Sequence, residues 1–244
     1  MFRYLLLLFC FMNCPFLALS QNVANPIIIV VDPGHGGKDN GTCGHNSKEK
    51  NITLAIAKKL DSLFEYNNSN IDIVLTRKDD SFLRLRERTK IANDLKAELF
   101  LSIHCNHIHI PSIKGTEVYI MGLSKSDENL EIVKRENSVI GFEENSDESH
   151  IMNSLCQLSH ITRSAEIAQQ ICVDLRKKTP LVQRGVKQAG FSVLKTIIMP
   201  GALLETAYLS NPEDEKYVLG ASGQLEIAQG IYQAIVNSFP ANNP

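Results

Sequence analysis

A three-layer α/β domain, with helices on both faces of a mostly parallel or mixed central sheet of about six strands, is the fold this sequence predicts. Three observations carry that reading. Strand-like and helix-like patterns alternate along the chain. The first strand-like run, residues 26–31, is continuously apolar, as in sheets covered on both faces. And 244 residues, 43% of them hydrophobic and 21% charged, suit one large domain and exclude disorder. With 25 Lys and Arg against 27 Asp and Glu, the net charge of −2 exerts no global pull toward nucleic acid or an anionic membrane surface. No nucleic-acid partner is expected, and any partner must be argued from a site.

The first twenty residues differ from the rest. Arg3, the apolar run 5–12 (LLLLFCFM) and Ala18-Leu19-Ser20 ahead of Gln21 read as a cleaved export signal, which leaves one domain over 21–244. A membrane anchor would need about 17 to 25 apolar residues, and Asn13 and Pro15 interrupt the run early. No later segment is apolar enough to span, so no transmembrane segment is expected in the mature chain. Cys10 and Cys14 leave with the signal. Cys43, Cys105, Cys156 and Cys172 remain, irregularly spaced and in no CxxC pair, and are expected to be unpaired, with Cys105 packed in a strand.

The elements follow in order. Residues 26–31 (PIIIVV) form a β-branched strand ending at Asp32-Pro33-Gly34. Residues 50–65 place Ile52, Ile56, Leu60 and Leu63 at helical spacing with Lys58, Lys59 and Asp61 outward. A strand at 71–76, a helix at 83–95, a strand at 99–105 (LFLSIHC) and an alternating strand at 115–120 (GTEVYI) come next. Residues 121–150 then carry eight acidic residues against three basic ones, so 122–160 reads as an acidic, partly helical insertion. A short amphipathic helix over 130–140 would anchor through Leu130, Val133 and the Val139-Ile140 pair. A helix at 164–178, short strands at 191–194 (FSVL) and 202–205 (ALLE), and a helix at 223–238 complete the chain.

Four residues stand where such a fold does chemistry. His35 sits in Asp32-Pro33-Gly34-His35-Gly36-Gly37, just past the first strand, at the carboxyl edge where α/β sheets bind ligands. The alternative is a glycine-rich turn with an incidental histidine. Glu49 opens the first helix, where a carboxylate also complements the helix dipole. His104 ends an apolar strand, a place equally suited to a hydrogen-bonded core histidine. Two imidazoles and a carboxylate with an open position make the usual catalytic zinc set, of one ion per chain. Glu205 ends the strand 202–205; a buried unpaired carboxylate is costly and needs either a partner or a task, such as general base beside the metal. His107 and His109, two apart in an extended segment, offer a rival metal pair, though Pro111 favours a solvated loop. His45 is expected to face solvent.

VDPGHGGKDNGTCG, KEKNITLAIAKKL, VLTRKDDSFLRLRERTKIAN, ELFLSIHCN and MPGALLETAYLSNPEDE, in that order, resemble the zinc-dependent N-acetylmuramoyl-L-alanine amidases of bacterial cell walls. The resemblance spans the mature chain apart from the acidic insertion. It implies zinc ligands at His35, Glu49 and His104, a catalytic glutamate at Glu205, and hydrolysis of the amide between the lactyl group of N-acetylmuramic acid and L-alanine of the peptidoglycan stem peptide. Cys105 stands where the family's SIHAN strand has alanine, a small-for-small exchange. In the resembled Gram-negative, periplasmic subfamily the insertion carries a helix that covers the zinc cleft until an activator protein moves it, and here Glu136, Glu143 or Glu144 could reach the open zinc position. The bland alternative for that stretch is an acidic surface elaboration. The rival readings are a zinc carboxypeptidase or deacetylase acting on the same polymer, and a wall-binding module that has lost turnover. A monomer is the default expectation.

Overall fold

The computed structural model describes residues 26–67, 70–123, 127–138 and 147–240, with the backbone alone for residue 128 and for 147–158. The leader 1–20, Glu143, Glu144, the Val139-Ile140 pair and the side chain of Cys156 lie outside the described residues.

Six strands form one mixed sheet in the order β2-β1-β3-β6-β4-β5. They are β1 (Ile27–Pro33), β2 (Ile71–Leu75), β3 (Leu99–Asn106), β4 (Thr116–Met121), β5 (Gln183–Ala189) and β6 (Gly201–Tyr208). β2, β1, β3 and β6 run parallel; β4 lies antiparallel on β6 and pairs β5 in parallel. The chain passes from β1 outward to β2 and then back across to β3, so the carboxyl ends of β1 and β3 flank a reversal of strand order, where open α/β sheets hold ligands.

Helices cover both faces. α1 (Glu49–Tyr66), α4 (Asp147–Lys178) and α7 (Ala221–Ser238) pack on one side, and α2 (Leu85–Asp94), α3 (Asp127–Asn137) and the short α5 (Ser192–Lys195) on the other; α6 (Pro212–Leu219) leans on β6 and α7. α1 shows why these residues make this layer. Ile52, Ile56, Leu60 and Phe64 recur every fourth residue, and all are buried against the sheet. Each such side chain contributes about 1.5 to 3 kcal/mol on burial, enough to hold a helix whose Lys48 supplies no capping hydrogen bond.

Three local expectations are corrected. Residues 191–194 are not a strand: Phe191 leads into the helical turn α5, because the apolar Val193 and Leu194 pack into the core as a turn. The strand beside them is β5, an edge strand whose side chains are largely polar. The helix read at 164–178 starts earlier, since α4 already runs from Asp147. Leu130 does not anchor α3; it is 41% exposed, and Ile132, 1% exposed, takes that place with Val133 beside it. Among the described cysteines Cys43, Cys105 and Cys172 are free, and Cys105 is buried in β3 as packing. Burial pushes the Cys172 thiol up to about 11.

Candidate functional site

The turn after β1 is held open by its own chemistry. His35 has φ of 61°, followed by Gly36 at 130° and Gly37 at 57°, a left-handed run that two glycines make affordable around one strained histidine. Two buried arginines clamp it. Arg88 donates to the carbonyls of Pro33 and His35 and to Asp32 Oδ1, and Arg77 donates to the carbonyls of Pro33 and Gly34. Asp32 also accepts from Thr76 and Ser102, which ties the turn to β2 and β3. Burial alone would raise the Asp32 carboxyl, yet Arg88 and the Thr76 hydroxyl hold it below its ordinary range. Gly34 has no room for a side chain, because a Cβ there would stand 2.4 Å from the His104 ring.

The clamped turn delivers His35 to its partners. Asp39 Oδ2 lies 2.9 Å from His35 Nδ1, which turns Nε2 inward. His104 lies near the end of β3, at the same level as Glu205 on the neighbouring β6. Glu49, the first residue of α1, accepts from the backbone N–H of Thr42 at 2.7 Å and of Cys105 at 2.8 Å, so its carboxylate is fixed by the chain on both sides. α3 contributes a fourth group, Glu136.

One ligand-type atom from each of His35, Glu49, His104 and Glu136 falls within 4.8 Å of the others, and all four residues are buried. His35 Nε2 stands 3.1 Å from Glu49 Oε2 and 3.2 Å from Glu136 Oε2; His104 Nδ1 stands 3.0 Å from Glu49 Oε1 and from Glu136 Oε2. Burial opposes charge on both imidazoles, but the facing carboxylates hold both well above their usual range, His104 at about 10, and the imidazoles in turn hold Glu49 and Glu136 low. His35 Nε2 and Glu136 Oε2 are buried and have no aligned hydrogen-bond partner. Unsatisfied buried donors and acceptors converging on one point are what a coordinated dication would satisfy, so the set could hold a metal ion. Glu205 is fully buried with both carboxylate oxygens unpartnered, and burial followed by the Glu136 charge pushes it up.

The structure therefore brings His35, Glu49 and His104 together, sets Glu205 beside His104, and adds Glu136. His107 and His109 stay outside the cluster in the loop after β3, their rings 6.1 Å apart, and His45 is exposed. Sequence reasoning missed Asp39, Arg77 and Arg88 as supports. Asp39 was visible only as the acid closing the glycine-rich turn, and Arg77 and Arg88 only as unremarked members of the stretch VLTRKDDSFLRLRERTKIAN.

Comparison with known proteins agrees with this geometry. The family model described as N-acetylmuramoyl-L-alanine amidase matches residues 29–237. The chain is 33% identical over 221 residues to the N-acetylmuramoyl-L-alanine amidase AmiA of Escherichia coli (strain K12), a match covering 87% of this chain and 76% of that one. The catalytic domain of the amidase CwlV from Bacillus (Paenibacillus) polymyxa var. colistinus superposes with a TM-score of 0.64 at 30% identity, over 86% of this chain and 96% of that one. The CwlD amidase of Clostridioides difficile, solved in complex with the GerS lipoprotein, superposes with a TM-score of 0.66 at 25% identity, over 86% and 97%.

Proposed function

Because this chain belongs to the N-acetylmuramoyl-L-alanine amidase family, we propose that it is a zinc enzyme that hydrolyses the amide between N-acetylmuramic acid and the L-alanine of peptidoglycan stem peptides. The observation that carries this is the convergence of His35, Glu49 and His104 beside an unpartnered, buried Glu205. These three side chains would hold one zinc ion, which when bound would supply Lewis-acid polarisation of the scissile carbonyl and of the attacking water. Asp39 keeps His35 in the tautomer that presents Nε2. Glu205 accepts a proton from the attacking water and returns it to the alanine nitrogen as the carbon–nitrogen bond breaks. Water is consumed, one carboxylate and one amine are released, and no covalent bond to the protein forms.

α3 is then a lid. Glu136 stands where the scissile carbonyl must come, Arg135 donates to the His107 carbonyl at 2.9 Å, and Asn137 accepts from the Ser192 N–H at 2.8 Å. An activator protein that lifts α3 would open the cleft; the solved complex of the related CwlD with a lipoprotein shows that one such amidase binds a partner protein. Residues 1–20 direct export, so the enzyme works in the periplasm, on the wall remodelled as daughter cells separate. Among the described residues no helix is long and apolar enough to cross a membrane.

The test is a product analysis. Incubation of the zinc-loaded mature chain with purified muropeptides should free L-alanine amines and leave intact lactyl-glycan. Release of a terminal amino acid or of acetate instead would favour the carboxypeptidase or deacetylase reading. No cleavage by a variant lacking α3 would favour a wall-binding module.

A further inference from the structure

Beside the cluster lies a groove of about 820 Å³ whose walls are the three segments that leave the site. The loop carrying His45 runs into Glu49, His107 and His109 follow His104, and Leu209 and Ser210 follow Glu205. The walls are stitched together, since the Ile108 N–H donates to Ser210 Oγ at 3.1 Å. The groove is continuous in chain with Glu49, His104 and Glu205, and among the described residues none of α3 lines it, although Arg135 reaches the carbonyl of His107.

Its polar character is one-sided. The imidazoles of His45, His107 and His109 and the ammonium of Lys216 line it against a single carboxylate, Glu215. That carboxylate is already engaged, accepting from the Asn46 N–H and the Ser47 hydroxyl at 2.7 Å each. An imidazole N–H donates a hydrogen bond whether or not the ring is charged, and Lys216 adds a point charge, so the free donors suit carboxylates. The substrate has two halves. The glycan half is a neutral polyol that favours flat aromatic surfaces, and among the described residues no Phe or Tyr ring lines this groove. The peptide half carries several free carboxylates.

We propose that this groove binds the carboxylate-bearing peptide side of the scissile amide, through Lys216, His109, His107 and His45. The assignment rests on the amidase reading above and adds to it which wall receives which half of the substrate.

The experiment is a binding measurement on the zinc-loaded mature chain that needs no turnover. The probe is the free tripeptide L-alanyl-γ-D-glutamyl-meso-diaminopimelate, titrated by calorimetry and by imidazole ¹⁵N chemical shifts, against the same tripeptide with its carboxylates converted to carboxamides. The acidic probe should bind about tenfold tighter, the worth of one charge-assisted hydrogen bond, and should shift the His45, His107 and His109 resonances. Lys216→Ala and His109→Ala, both at exposed positions, should each remove most of that preference while leaving carboxamide binding within about twofold. Equal affinity for the two probes, no measurable binding, or variants that weaken both probes alike would overturn the assignment. Muropeptide hydrolysis followed in parallel separates the two claims. Hydrolysis without acid preference fails the groove alone, and acid preference without hydrolysis fails the amidase reading alone.

Discussion

Replacing Glu136 with alanine removes the one side chain of α3 that reaches the metal cluster, and its effect follows from the contacts. Glu136 Oε2 sits 3.0 Å from His104 Nδ1 and 3.2 Å from His35 Nε2, and Oε1 accepts from Arg135 Nε at 3.1 Å. A single interaction with a charged group is worth about 1.5 to 3 kcal/mol, so its loss should raise the ratio of open to closed lid about ten- to a hundredfold. α3 should stay folded and still close part of the time, because Ile132 and the bonds of Arg135 and Asn137 to the His107 carbonyl, the Gly190 carbonyl and the Ser192 N–H remain available in the closed state. The assay is kcat on a soluble muropeptide at saturating zinc, with the far-ultraviolet circular dichroism and Tm of each protein. Glu136→Ala should turn over at least about tenfold faster than the parent, with Glu136→Gln between them. A folded, zinc-bound Glu136→Ala protein with unchanged or lower kcat would refute the lid.

Other predictions follow from the same geometry. Gly34→Ala drives a methyl group into the His104 ring, 2.4 Å away, and should abolish high-affinity zinc binding while leaving the fold intact by circular dichroism. Asp39→Ala frees His35 Nδ1 and should weaken zinc affinity about 10- to 100-fold in a competition titration against a chelator dye. Arg88→Met leaves Asp32 buried and unpaired and should cost about 3 to 5 kcal/mol in urea unfolding. The Asp32 carboxyl is depressed in the folded chain, so its contribution is complete above about pH 4 and fades as pH falls below; Asp32→Asn, less stable at neutral pH, should show a shallower loss of stability in that acid window.

Much of this was legible in the sequence, for physical reasons that differ by element. The runs that became β1 and β3 open on unbroken apolar stretches, 27–31 and 99–101, because helices cover both their faces, with Val30 and Phe100 on one side and Ile29, Val31, Leu99 and Leu101 on the other. β5 was not legible. It is one of the two edge strands, its side chains Gln183, Arg184, Lys187 and Gln188 are polar, and Gly185 at φ of 87° breaks any pattern, so its sheet hydrogen bonds leave little trace in residue type. α6 carried a clear start in Asn211-Pro212, with the Asn211 side chain capping Glu213 and Asp214, but Val218 is its only buried hydrophobic residue and periodicity had nothing to read. His35, Glu49, His104 and Glu205 were found because each stands at the end of an apolar element, where a polar side chain is out of pattern. Glu136 could be named only as one of three glutamates, since which of them turns inward depends on how α3 docks through Ile132 rather than Leu130.

The central claim is that Glu205 moves the proton while His35, Glu49 and His104 hold the metal, and Glu205→Gln tests it most directly. Zinc content and muropeptide turnover should be measured on that variant beside the parent, in a background lacking α3 so that the lid plays no part. The account predicts about one zinc per chain in both proteins and a loss of kcat of at least about a hundredfold in Glu205→Gln, the usual worth of a positioned general base. Comparable turnover in the variant, or zinc lost together with activity, would contradict it.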